Sequence, residues 1–97
     1  MIMEATVAGQ VVARSEDTVV VEGNHYFPLE SVTAGVLART QRKSLCPWKG
    51  VASYYTVNAG EVVLDNAGWT YRHPFPLARR IKNRVAFYPS VDVHEVP

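Results

Sequence analysis

The amino-acid sequence predicts a mainly β domain of the antiparallel or α+β class, with about seven short strands and two short helices. Three observations predict it. β-Branched and aromatic residues gather in short runs, such as Val19-Val20-Val21 and residues 51–57 (VASYYTV), the make-up of half-buried strands. Glycine, asparagine and proline punctuate those runs, and no strand–helix–strand rhythm lasts long enough for a parallel sheet. The chain has 97 residues, enough for one domain over 1–97 and too few for two.

The elements follow in order. Residues 10–14 (QVVAR) and 18–22 (TVVVE), separated by Ser15-Glu16-Asp17, read as a hairpin. Gly23-Asn24 is a second turn signal, and His25-Tyr26-Phe27 forms a short strand stopped by Pro28. From Pro28 to Arg39, Leu29, Val32, Val36 and Leu37 lie near helical spacing, and Pro28 suits a first helical position. A short helix is expected there, with Gly35 and the β-branched residues opposing it. Residues 51–57 make the clearest strand: Val51, Ser53, Tyr55 and Val57 face one side, Ala52, Tyr54 and Thr56 the other. Asn58-Ala59-Gly60 turns the chain into residues 61–65 (EVVLD) as a second hairpin, and Asn66-Ala67-Gly68 bends it before Trp69-Thr70-Tyr71. Beyond Pro74 and Pro76, Leu77, Ala78 and Ile81 predict a helical turn or two. Residues 85–88 (VAFY) read as a final core strand and Val91 to His94 as an edge strand.

Composition bounds the function. An apolar fraction of 47% is that of a globular chain and excludes disorder. The apolar runs are far shorter than the ~20 residues that cross a bilayer, and the start, MIMEATVAGQ, lacks the pattern of a secretory signal. Cys46 is the only cysteine, and no asparagine sits in an N-x-S/T sequon. The expectation is a bacterial cytoplasmic protein with no disulfide scaffold and no membrane partner. The net charge of +1 hides an asymmetry. Between Arg39 and Arg84 stand nine of the ten basic residues and only the acids Glu61 and Asp65. Such a split creates a positive face that attracts anions, unless the acidic flanks interleave with it on folding.

The densest stretch for chemistry is Cys46-Pro47-Trp48-Lys49-Gly50, followed by Tyr54-Tyr55. Proline and glycine bracket a tight turn that projects Trp48 and Lys49, which can hold a flat or anionic ligand by stacking and charge. The alternative is a structural turn whose Trp48 plugs the core. Cys46 can act as a nucleophile if Lys49 or one of His25, His73 and His94 assists it, although no spacing matches a Cys–His signature. Alternation over residues 69–74 sets Trp69, Tyr71 and His73 on one face and Thr70 with Arg72 on the other. The run Arg79-Arg80-Ile81-Lys82-Asn83-Arg84 is either a solvated face or a phosphate contact. One cysteine and scattered histidines predict no metal site, and the absence of GxGxxG and GxxxxGK[ST] predicts no nucleotide cofactor.

The strings YFP at 26–28, CPWKG and ASYY across 46–55, the pair Trp69 and Tyr71, and IK with VAFYP between 81 and 89 resemble the domain of unknown function 427 family over nearly the whole chain. The resemblance implies two antiparallel sheets meeting at one edge, a β-tent. Relatives of that architecture include the ligand-binding domain of cereblon, with an aromatic cage for a cyclic imide and a zinc on paired C-x-x-C motifs. This chain departs from the zinc pattern because Cys46 stands alone, so only the cage carries over, as an analogy. A nucleotidyltransferase-like label sometimes attached to the family lacks support here: that chemistry needs clustered metal-binding carboxylates, and Asp65 and Asp92 are isolated.

Two functions from different classes follow. One is a module that binds a small planar or anionic molecule through Trp48, Lys49, Tyr54, Trp69, Tyr71 and Arg72. The other is an enzyme using Cys46 as nucleophile. Nucleic-acid contact through Arg79–Arg84 is a weaker third option, and a pI near 7.9 argues against it.

Overall fold

The computed structural model describes residues 1–97. Nine strands replace the seven expected: β1 (Ile2–Val7), β2 (Gln10–Ser15), β3 (Val19–Val21), β4 (Asn24–Pro28), β5 (Leu37–Cys46), β6 (Gly50–Ala59), β7 (Val62–Tyr71), β8 (Arg84–Phe87) and β9 (Asp92–Val96). They form two antiparallel sheets, one ordered β2-β1-β9 and the other β3-β4-β8-β7-β6-β5. There is no α-helix. The two helical expectations become 3-10 segments, Leu29–Ser31 and Pro76–Ile81. No helix is long and apolar enough to cross a membrane.

Local chemistry explains most strand boundaries. Ala8-Gly9 and Glu22-Gly23 both hold positive φ at two successive residues, the conformation that joins twisted strands through a two-residue turn. They make the β1–β2 and β3–β4 hairpins. The hairpin expected between residues 10–14 and 18–22 does not form: β2 pairs with β1, and β3 pairs with β4 in the other sheet. Ser15 Oγ accepts the Asp17 N–H at 2.9 Å where the chain passes between the sheets, a side-chain bond that takes a ladder donor.

The helix expected over 28–39 is overturned by where its backbone hydrogen bonds go. The Thr33 N–H donates to the Val12 carbonyl, and the Val36 carbonyl accepts from the Asn58 N–H, both at 2.8 Å. Gly35 lies at φ +83°, outside the helical region. Leu29, Val32 and Val36 still pack on the core, so their helix-like spacing belongs to a loop that dips inward three times.

Strand alternation sets up two apolar layers. On one face of the large sheet, Phe27, Tyr55, Val57, Val85 and Phe87 meet Met3, Ala5, Val7 and Val12 of the small sheet. On the other, Tyr26, Ala52, Tyr54, Tyr71 and Ala86 are closed by Ala78 and Ile81 from the second 3-10 segment. Adjacent Tyr54 and Tyr55 thus enter different cores, as the alternation predicted. Asn66 adopts φ +52° beside a β6–β7 register shift, so the second Asn-Ala-Gly bends β7 without ending it.

Candidate functional site

The CPWKG turn closes the β5–β6 hairpin, with Cys46 paired to Gly50. Gly50 has φ +113°, a conformation that L side chains rarely adopt. A Cβ there would approach the His73 carbonyl at 3.4 Å. The turn is pinned from outside by the Phe75 N–H, which donates to the Lys49 carbonyl at 3.0 Å. Trp48 is 39% exposed and Lys49 only 8%, so the turn presents its indole and withdraws its ammonium.

Burying Lys49 requires a counter-charge, and Glu22, in the β3–β4 turn, supplies it. The Lys49 ammonium donates to Glu22 Oε1, and Trp48 Nε1 donates to Oε2 at 3.3 Å. Lys49 Nζ also lies 5.3 Å from the Trp48 ring centre and 5.8 Å from that of Tyr71, within cation–π range. Burial pulls the Lys49 pKa down, but the Glu22 hydrogen bond and neighbouring charges outweigh it, leaving the pKa raised. The Glu22 carboxyl is held below its ordinary range by Lys49 first and Trp48 second. Burial pushes Tyr71 strongly upward. For Cys46, burial raises the thiol pKa, yet the Trp48 and Lys49 backbone N–H groups and the Lys49 charge together lower it.

A second cluster surrounds Trp69. Its Nε1 donates to the Tyr26 hydroxyl at 3.1 Å, and the two rings meet edge to face at 6.3 Å. Tyr88 lies 4.8 Å from Trp69 and stacks on Tyr54 at 6.4 Å. Tyr54 shares a 2.8 Å hydrogen bond with Ser44 and carries the Arg42 guanidinium 4.9 Å above its ring. Burial raises the Tyr54 pKa, but Ser44, Tyr88 and Arg42 bring it below its ordinary value.

The structure therefore divides the expected ligand-binding residues. Lys49 joins Trp48 to Tyr71, while Tyr88 joins Tyr54 to Trp69. Arg72 stands apart, in a cleft with Arg39, Lys43 and His73. His73 leaves the face expected for it because β7 ends at Tyr71. The fold forms two clefts: one includes Trp69 and the other Arg72, and neither is lined by Trp48 and Trp69 together. No histidine hydrogen-bonds Cys46: His25 bonds Thr18, and His94 lies within 3.4 Å of both Glu4 and Asp92. In the 79–84 run, Arg84 is taken by Asp17, while Arg79, Arg80 and Lys82 are exposed. No three His, Cys, Asp or Glu side chains gather in metal-binding geometry.

A family profile described as Domain of unknown function (DUF427) matches residues 2–97. The chain belongs to that family. No curated protein matches it. The strings that carry the DUF427 resemblance are far apart in sequence but meet in space. Tyr26 comes from β4, Lys49 from the β5–β6 turn, Tyr54 from β6, Trp69 and Tyr71 from β7, and Tyr88 immediately follows β8. Glu22, Tyr26 and Tyr88 were not among the site residues expected from the sequence. Glu22 was read only as the last residue of the strand 18–22; the one available signal was Lys49 itself, a cation with no acid near it in sequence.

Proposed function

We propose that the domain is a small-molecule binding module whose ligand, a planar ring, stacks in the cleft beside Trp69 and Tyr88. The observation that carries the reading is a cavity of about 670 Å³ where β7, β8 and the approach to β9 meet, lined by Trp69, Phe87, Tyr88 and Val91, with Asn24 and Asp92 among its polar residues. Ligand sites are typically apolar concavities of ~300–1,000 Å³ with a few polar groups that orient the guest. Tyr26 holds the Trp69 indole from behind, so the ring offered to the ligand is already ordered, which lowers the entropy cost of binding. The β-tent architecture and aromatic cage implied by the family resemblance support the same reading by analogy. Asn24 and Asp92 favour a ring carrying hydrogen-bond donors.

The test uses a Trp48→Phe protein, in which Trp69 is the sole tryptophan, screened against planar heterocycles by fluorescence. A ligand of this cleft changes Trp69 emission and raises the melting temperature, and loses both effects on Tyr88→Ala. If no compound alters emission or melting, or if binders act equally on Tyr88→Ala, the reading fails.

A second reading, an enzyme with Cys46 as nucleophile, draws on the lowered thiol pKa and its two backbone N–H donors. Lys49, rather than a histidine, would then be the assisting group.

A further inference from the structure

We propose that the cleft on the outer part of β5 and β6 is a second binding site, for a small organic molecule bearing two or more anionic oxygen groups, phosphate or carboxylate. The cavity measures about 370 Å³, and Arg39, Lys43, Arg72 and His73 line it with no acidic residue among its walls. Elsewhere on the molecule, Arg14, Lys49 and Arg84 each have a carboxylate within 4.0 Å, and the unpaired Arg42, Arg79, Arg80 and Lys82 line neither cleft. The four groups of the cleft have no such carboxylate. Three cations converging on a concave surface raise its positive potential, a repulsion that an anion relieves.

The strand register builds this convergence. Lys43 stands opposite Ser53, and Ser53 opposite Thr70; Arg72, the first residue past the end of β7, lines the same cleft as Lys43 and Ser53. Arg39 pairs with Tyr55 on that face, and a register shift separates it from Lys43. The shift spans an even number of residues, which keeps both cations on one side. His73 is brought in by the segment that the Phe75–Lys49 backbone bond pins against the hairpin turn.

The floor is polar and prepared. Ser53 is buried and accepts the Lys43 ammonium at 3.0 Å. Its own hydroxyl proton has no acceptor in the protein and is free to donate to an anionic oxygen. Val51 and Phe75, both exposed, border the same cleft and supply apolar contact for the body that carries the anionic groups. The two clefts share no lining residue, so this site stands or falls independently of the planar-ligand reading.

Tripolyphosphate and citrate are the probes, titrated into ¹⁵N-labelled protein at low salt, with sodium chloride matched for ionic strength as the control. Binding shifts the amides of Ser53, Arg72 and His73. Lys43→Gln and Arg72→Gln, surface changes that keep the spectrum folded, each weaken it about tenfold or more, the loss of one charge-assisted bond. Arg80→Gln leaves it unchanged. Tighter binding of tripolyphosphate assigns a phosphate ligand and tighter binding of citrate a carboxylate one. Shifts that sodium chloride reproduces, shifts centred on residues 79–82, or equal affinity in the Lys43 and Arg72 variants would overturn the proposal.

Discussion

Replacing Tyr26 by Phe removes one oxygen from the protein interior and tests how Trp69 is held. The Trp69–Tyr26 bond is 3.1 Å long and Tyr26 is 1% exposed, so water cannot reach the hydroxyl. A net hydrogen bond contributes ~0.5–1.5 kcal/mol, while a buried polar group left without its partner costs ~1–3 kcal/mol. The two partners differ in what is left behind. In Tyr26→Phe the edge-to-face packing survives, and the orphaned indole N–H belongs to a residue bordering an open cleft, where water can replace part of the bond. The expected loss is ~0.5–1 kcal/mol. In Trp69→Phe the Tyr26 hydroxyl stays buried with no partner, and ring volume is lost as well, so ~2–3 kcal/mol is expected. The double variant should recover about 1 kcal/mol relative to the sum, because neither orphan remains. Urea denaturation followed by far-ultraviolet circular dichroism measures all three. In a domain of this size 1 kcal/mol moves the midpoint of thermal unfolding by ~4–8 °C. A coupling below ~0.3 kcal/mol, or a Tyr26→Phe loss exceeding that of Trp69→Phe, refutes the argument.

Three further outcomes are expected. Iodoacetamide should label Cys46 faster at neutral pH than an unperturbed thiol, since the lowered pKa enlarges the thiolate fraction; Lys49→Met should slow it, and equal rates in both proteins would remove Lys49 from the explanation. The Glu22–Lys49 pair should contribute its full stability between the ordinary carboxylate and lysine ranges. With Glu22 lowered and Lys49 raised, the contribution fades as pH falls through the folded Glu22 value or rises through the folded Lys49 value. Glu22→Gln should flatten the acid limb of a plot of melting temperature against pH, and an unchanged limb would assign the acid loss to other carboxylates. Gly50→Ala should destabilise by ~1–3 kcal/mol, because φ +113° is costly for any residue with a Cβ; a calorimetric loss near zero would mean that the turn relaxes.

The hairpin from β6 to β7 and the core strand β8 were legible because their signals are local: period-two alternation, an Asn-Ala-Gly turn, and apolar residues in one unbroken run. The expectation of a mainly β, antiparallel domain rested on these. The 28–39 segment was misread because periodicity records which residues are buried, not which partner the backbone finds. Leu29, Val32 and Val36 are turned inward, but their neighbouring amides and carbonyls bond β2 and β6. The same reason hid the true partner of β2.

From composition and short-range pattern alone came the class of fold, the alternation that sends Tyr54 and Tyr55 to opposite cores, and the concentration of aromatic and basic residues after Arg39. Only the tertiary structure decided how those residues are sorted. Glu22 reaches Lys49 across 27 positions and Trp69 reaches Tyr26 across 43, distances over which sequence pattern carries no information. Strand pairing and the end of β7 at Tyr71 then leave Trp69 and Arg72 in separate clefts. A binding surface is made by which side chains share a face, and that is set by strand pairing between segments far apart in the chain.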